Sequence, residues 1–95
     1  MRETMKRYLI ERDIANLGSL SREQFKELAA TSNSAIAKLS GQVQWVQSFV
    51  AADKTFCIYL APSELLVREH SRLAGFPITK ITEVPTVLDP MTAYS

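Results

Sequence analysis

Segments with the two-residue period of strands alternate along this chain with segments that have the helical period of 3.6 residues. Residues 6–14 hold a short apolar run between charges, and residues 42–51 and 55–61 are rich in Val, Ile, Phe, Trp and Tyr. The connection between the last two segments is too short for a crossover helix, so we expect an antiparallel hairpin. Residues 79–88 alternate again and predict a final strand.

Two helices are predicted between these strands. Ser21 is placed to cap a helix over residues 21–40, and Gln24 completes a capping box. A proline and an acidic residue favour the start of a second helix over residues 62–74, and Gly75 ends it. The apolar positions of the first helix repeat at helical spacing on one face: Phe25, Leu28, Ala29, Ile36 and Leu39.

The resulting order βαββαβ predicts an α+β fold of the ferredoxin-like type, as a single domain over residues 1–95. Its four-stranded antiparallel sheet should have the order 4-1-3-2, with both helices on one face. Pro85 supports this order, because it lies in the predicted fourth strand and proline lacks the N–H that a central strand donates. The order places that strand at an edge of the sheet.

Both faces of the predicted sheet are apolar, although two helices on one side can cover only one face. Apolar residues of both parities occur in the second, third and fourth strands: Val43, Trp45 and Phe49 against Val46 and Val50, Phe56, Ile58 and Leu60 against Cys57, Tyr59 and Ala61, and Ile81 and Val87 against Val84 and Leu88. We therefore expect a homodimer through the open sheet face, which forms a dimeric α+β barrel.

Composition and charge exclude several classes of partner. The chain has 11 Lys and Arg against 10 Asp and Glu, a formal net charge of +1, so no basic field for nucleic acid or an anionic membrane is predicted. No apolar stretch reaches the roughly 18 residues of a membrane span, and the N-terminus shows no signal-peptide pattern. Cys57 is the single cysteine, which excludes an intramolecular disulfide. We expect a soluble, cytoplasmic protein.

His70 is the single histidine, and its position in the second helix puts it on the apolar arc, facing the sheet. One interpretation is a core histidine held neutral by one hydrogen bond. The other is a ligand or an acid–base group under a pocket. Phe76, just after Gly75, is expected near His70 as the hydrophobic contact of a Schellman motif.

Glu11 and Asp13 alternate with Arg12 on the first strand, which is central in the predicted sheet, where a charge needs a partner. One alternative is an ion pair between Glu11 or Asp13 and an arginine at the strand end or across the dimer. The other is a carboxylate directed into a cavity, with His70 as its neighbour. The sequence leaves both open.

Cys57 and Tyr59 share a parity in the third strand. Structural burial is the favoured interpretation of Cys57, because nothing near it in the sequence would activate the thiol. Glu11, Cys57, Tyr59 and His70 are the candidate ligand-binding residues. The chain has no phosphate-binding glycine loop, paired metal cysteines, zinc-protease helix or serine elbow, so no catalytic residue is predicted.

Four segments together resemble a family of small bacterial ferredoxin-fold proteins, of largely unknown function, some of which bind nickel. The segments are residues 8–14 (YLIERDI), 56–62 (FCIYLAP), 68–70 (REH) and 83–84 (EV). The resemblance covers nearly the whole chain. It implies a dimeric α+β barrel.

Only some of the metal-ligand positions of this family are matched in the present sequence. In nickel-type members the first strand reads acid, Arg, His, and here Glu11 and Arg12 match whereas Asp13 stands at the histidine position. His70 matches the helix histidine, but Leu60 stands where those members often have an acid. The resemblance thus implies His70, Glu11 and Asp13 as candidate ligands of a divalent metal such as nickel, completed by carboxylates or by a second subunit.

Three hypotheses about function follow. The first is a non-enzymatic homodimeric binding protein that holds a metal ion or a small ligand near His70. The second is a cofactor-independent enzyme of the dimeric-barrel class, an oxygenase or isomerase, that uses His70 or Glu11 as acid or base. The third is a structural or regulatory partner without a ligand. The absence of a paired nucleophile and base favours the first.

Overall fold

The structure is a computed structural model that describes residues 4–95. The expectation that the N-terminus lacks a signal peptide rests in part on residues 1–3, which lie outside the described residues. Among residues 4–95, no helix combines the length and the apolar character that crossing a bilayer requires.

Residues 4–95 form four strands: β1 Lys6–Asp13, β2 Gln44–Val50, β3 Lys54–Ala61 and β4 Lys80–Glu83. They pair in antiparallel fashion in the order β2-β3-β1-β4, as the element order predicts. Ile10 of the central strand β1 lies opposite Cys57 on one side and Ile81 on the other. The predicted α+β fold with the sheet order 4-1-3-2 is therefore confirmed.

Two α-helices follow the first and third strands: α1 Arg22–Ala37 and α2 Glu64–Ala74. The Ser21 hydroxyl accepts a hydrogen bond from the Gln24 N–H, and the Gln24 side chain accepts one from the Ser21 N–H. This is the predicted capping box. α2 begins later than predicted, because Ser63 is its N-cap. Short 3-10 turns span Leu17–Ser19 and Pro90–Tyr94.

A bulge in β2 corrects the predicted faces of that strand. Its pairing with β3 shifts register between Trp45 and Gln47, so the residues after the bulge change faces. Phe49 lies opposite Phe56, on the side away from the helices, and not on the face of Trp45 as predicted. The same shift places Ser48 opposite Cys57, on the helix-facing side.

The fourth strand is shorter than the predicted range of residues 79–88. β4 ends at Glu83, and the Val84 N–H donates one more backbone hydrogen bond to the β1 strand. Pro85 follows directly and has no N–H to continue the pairing, so it ends the strand instead of lying within it. Val87 and Leu88 are exposed beyond the sheet.

The two faces of the sheet have different neighbours. On the helix-facing side, the buried side chains of β1 and β3 join Val43, which directly precedes β2, and Val67 of α2 in one core: Tyr8, Ile10, Val43, Cys57, Tyr59, Ala61 and Val67. The side away from the helices, called here the open sheet face, carries Leu9, Glu11, Phe49, Phe56, Ile58 and Leu60. Phe49 is 53% exposed on it.

α1 is only loosely packed over its first half. Ser32 and Ala35 are its buried residues, whereas Phe25, Leu28 and Ala29 are half-buried despite their apolar spacing. Protein interiors are normally packed as closely as organic crystals, so partial burial of an apolar helix face indicates a space beneath it.

Gly75 should be the residue whose substitution most directly loosens the end of α2. It adopts φ 77°, and the Phe76 N–H donates to the Ser71 carbonyl, which closes the predicted Schellman motif. We expect Gly75→Ala to lower the free energy of unfolding by about 1 to 2 kcal/mol, because a Cβ is strained in this conformation. Urea denaturation measures the loss. Gly75→Asn should lose less, and an unchanged Gly75→Ala midpoint would contradict the interpretation.

Candidate ligand-binding cavity

A largely apolar cavity of about 300 Å³ lies between the first half of α1 and the helix-facing side of the sheet. It explains why the apolar face of α1 is only half-buried. The bulge in β2 contributes to the cavity, because it turns Ser48 and Val50 toward the helices. Its wall includes Phe25, Leu28, Ala29 and Ser32 of α1, Trp45, Ser48 and Val50 of β2, and Thr55, Cys57 and Tyr59 of β3.

Arg12 is the one charged side chain among the described residues that line the cavity. The residue is only 2% exposed. Its Nη1 donates hydrogen bonds to Ser71 Oγ at 3.0 Å and to the Pro77 carbonyl at 2.8 Å. Its guanidinium carbon lies 5.3 Å from the centre of the Phe76 ring. All of these partners are uncharged.

His70 lies behind the cavity wall, completely buried between α2 and the sheet. Its Nε2 is 3.1 Å from Ser32 Oγ, and its ring centre is 4.8 Å from that of Tyr59. Burial, with a smaller contribution from the Arg12 charge, lowers the pKa of His70 to about 4, although a hydrogen bond with Ser32 partly opposes the shift. The imidazole is therefore neutral at pH 7.

Tyr59 and Cys57 lie two residues apart on the helix-facing side of β3, and both line the cavity. The ring of Tyr59 is 5.9 Å from the Arg12 guanidinium carbon, and Cys57 Sγ is 3.5 Å from Thr55 Oγ1. Burial raises the pKa of Tyr59, and the nearby Arg12 charge opposes this effect. The wall therefore combines a fixed positive charge with neutral polar groups around an apolar space, an arrangement typical of small-molecule pockets.

Glu11 and Asp13 lie on the other side of the sheet from His70. Both carboxylates are 3.5 Å from Lys54 Nζ, so their partner is a lysine of β3 and not the expected arginine. Glu11 is not directed into a cavity with His70. Within one chain, these two residues cannot act together as an acid–base pair.

The candidate metal ligands are therefore not brought together. The sheet separates His70 from Glu11 and Asp13. Over residues 4–95, no group of three His, Cys, Asp or Glu side chains is placed to hold a metal ion. Nickel prefers several nitrogen donors, so the described donor set of one chain does not fit this ion.

Arg12 is the site residue that the sequence analysis did not single out. It shares its parity with Tyr8 and Ile10, which face the helices. The alternation of side chains along β1 therefore places the Arg12 guanidinium on the core side of this strand. Its hydrogen-bond partners Ser71 and Pro77 follow 59 and 65 residues later, and no local motif identifies them.

The free energy of unfolding should fall on acidification, because His70 takes up a proton more readily in the unfolded chain. The unfolded chain protonates this side chain near pH 6.5 and the folded chain only near pH 4, so the unfolded state binds more protons between these values. The contribution is complete above about pH 6.5 and is lost as the pH falls toward 4. We expect a loss of about 2 kcal/mol in the free energy of unfolding between pH 7 and pH 5, measured by urea denaturation.

His70→Gln provides the control for this pH dependence. Its amide can still reach Ser32, and it has no proton to gain between pH 7 and pH 5. Groups present in both proteins contribute equally to the slope of the free energy of unfolding against pH. The difference between the two slopes therefore isolates His70, and most carboxylates titrate at lower pH. Equal slopes in the two proteins would show that His70 does not cause the loss.

Comparisons with known proteins identify the family. The family SCO4226-like, described as nickel responsive protein SCO4226-like, matches residues 8–84. The crystal structure of SCO4226 from Streptomyces coelicolor A3(2) is similar to this chain, with a TM-score of 0.72 and 16% identity over 86% of this chain and 99% of that chain. At this identity the structural likeness shows the fold alone. The comparison with curated proteins gives no match. Because the family match extends from β1 to the residue after β4, the chain belongs to the SCO4226-like family of nickel responsive proteins.

Proposed function

We propose that the protein is a non-enzymatic, cytoplasmic binding protein whose ligand is a small organic molecule in the cavity beneath α1. The observation that carries this proposal is the cavity itself, about 300 Å³ in volume and partly open to solvent. Voids larger than a water molecule are few in close-packed interiors. The volume lies at the lower end of the range of ligand pockets, roughly 300 to 1,000 Å³.

The chemistry of the wall supports the same proposal. Apolar side chains make up most of it. Arg12, Ser32 and Tyr59 contribute polar groups that lie near one another, and Ser48 and Thr55 add two hydroxyls. A few polar groups in an apolar pocket orient a ligand, whereas the apolar surface supplies most of the binding energy. Glu11 is absent from this wall, which removes the second acid–base residue of the enzyme hypothesis.

A metal-related role fits the description of the family as nickel responsive. The described residues of one chain nevertheless present no three-donor group for the ion. The buried His70 Nδ1, which has no hydrogen-bond partner within residues 4–95, is the candidate nitrogen for a direct test. Nickel is therefore a separate arm of the binding experiment, and the cavity proposal does not depend on it.

Trp45, the single tryptophan, lines the cavity and reports on its occupation. A panel of monocyclic aromatic and short aliphatic compounds should contain members that change Trp45 fluorescence. The same members should shift amide NMR signals of the lining residues. Signals shifted by nickel chloride at His70, with no response to any organic compound, would replace the cavity proposal with metal binding.

A matched pair of alanine variants on α1 tests the location of binding. Ala29 lines the cavity, whereas its neighbour Ala30 is exposed. Ala29→Phe should fill part of the space and weaken binding at least about ten-fold, whereas Ala30→Phe should leave the affinity unchanged. Titration of each folded variant with the same compound measures the difference. Equal affinities in the two variants would place the ligand elsewhere.

We also propose that two copies associate through the open sheet face, which completes the α+β barrel. Neither helix covers this face. Phe49 on the face and Val46 at the bulge of β2 are about half exposed. Phe56, Ile58 and Leu60 form a continuous apolar row along β3. A two-fold axis brings the same residues of each chain together, so an apolar row meets its own copy.

A charge introduced into this row should prevent association. Ile58→Glu places a carboxylate at the centre of the open sheet face, where burial against a second copy would be costly. Light scattering should give a dimer mass for the wild type at micromolar concentration and a monomer mass for Ile58→Glu. Leu65→Glu, on the exposed side of α2, is the matched control and should remain dimeric. A monomeric wild type would contradict the proposal.

A further inference from the structure

One edge of the Arg12 guanidinium has no hydrogen-bond partner of good geometry among residues 4–95, although the Tyr59 hydroxyl lies near Arg12 and this contact opposes the rise that burial causes in the pKa of Tyr59. Nη1 makes both of its hydrogen bonds, to Ser71 and Pro77, whereas Nε and Nη2 are buried without a partner within residues 4–95. In a planar guanidinium, the Nε–H and one Nη2–H point the same way from one edge. They form the side-on fork that receives the two oxygens of a carboxylate in parallel. The unpartnered atoms are therefore the pair whose geometry suits one carboxylate. Both are fully buried, so a neighbouring side chain must move slightly for a carboxylate to reach them.

The surroundings of Arg12 leave its charge uncompensated. Its acceptors are a hydroxyl and a backbone carbonyl, and no acidic side chain occurs among the described residues of the cavity wall. His70 is neutral at pH 7 and brings no negative charge. A buried charge with incomplete hydrogen bonding is costly, so an anion that enters the cavity would relieve this cost.

The rest of the cavity limits the kind of anion that it accepts. Phe25, Leu28 and Val50 offer apolar surface, so the body of the ligand must be apolar. The wall supplies one cation and one free pair of N–H groups. A carboxylate, with a single charge and two oxygens, matches them. A phosphate would bring more charge and more oxygens than these groups can satisfy.

We propose that the ligand of this cavity is a small monocarboxylate with an apolar alkyl or aryl body, whose carboxylate accepts hydrogen bonds from Arg12 Nε and Nη2. This inference rests on the proposed binding function and names its ligand class. Arg12 holds the acid group, and α1 with β2 covers the apolar body.

A matched pair of probes tests the ligand class on the wild-type protein. 3-Phenylpropionate and 3-phenyl-1-propanol share a body and differ in the acid group. The acid should bind at least about ten-fold more tightly, because hydrogen bonds to a charged pair are the strong ones. In ¹⁵N-labelled protein, the Arg12 Nε–H signal should shift with the acid and not with the alcohol. Equal affinities with an unmoved Nε–H signal would overturn the inference and leave the cavity proposal intact.

Two substitutions of Arg12 separate its charge from its geometry. Arg12→Met should remove the preference for the acid while it keeps affinity for the alcohol, and Arg12→Lys should restore it only in part, since an ammonium has no side-on fork. Arg68→Met, at an exposed position of α2, is the control and should retain the preference. Circular dichroism verifies that each variant is folded. If Arg12→Met does not fold, the wild-type comparison and the Nε–H signal decide alone.

The outcomes distinguish the proposal of a ligand-binding cavity from the inference that its ligand is a monocarboxylate held by Arg12. Failure of both probes to bind would contradict the cavity proposal and this inference with it. Binding of the alcohol as tight as that of the acid would overturn the whole inference and leave the cavity proposal intact. An acid preference that persists in a folded Arg12→Met would overturn the role of Arg12 as the carboxylate anchor.

Discussion

The antiparallel pairing of β1 with β3 assigns each side chain of the central strand to one face of the sheet. Its register runs from Lys6 opposite Ala61 to Asp13 opposite Lys54, and it decides which side chains meet the helices. Arg12 and Glu11 are neighbours, so this register buries the guanidinium beneath the helices and leaves the carboxylate beside Lys54 on the open sheet face. A slip by one residue would exchange them and leave an acid in the cavity wall.

The parts of the fold that depend on local chemistry were predictable from the sequence. The capping box at Ser21 and the left-handed Gly75 are short-range signals, and the sheet order follows from the sequence of elements. The sequence pattern does not indicate the bulge after Trp45 or the end of β4 before Pro85. Strand alternation assumes unbroken pairing, and nothing local to residues 42–51 shows where the pairing with β3 shifts.

The candidate site was predicted less completely than the fold. Cys57 and Tyr59 line the cavity and His70 lies directly behind it, whereas Glu11 and Asp13 are on the opposite face. The cavity itself has no signature in the hydrophobic pattern. An apolar side chain such as Phe25 has the same helical spacing whether it fills a core or lines a space, and only the distance between α1 and the sheet decides between them.

The electrostatics of Arg12 and His70 explain why the cavity has one positive charge and not two. Both side chains are buried close to Tyr59, and burial lowers the pKa of His70. Arginine cannot deprotonate in a protein, whereas histidine can, so the imidazole becomes neutral and the guanidinium keeps its charge. Ser71 and Pro77 hold one nitrogen of that guanidinium and fix its orientation. The edge formed by Nε and Nη2 therefore belongs to a charge that no described residue of the wall balances.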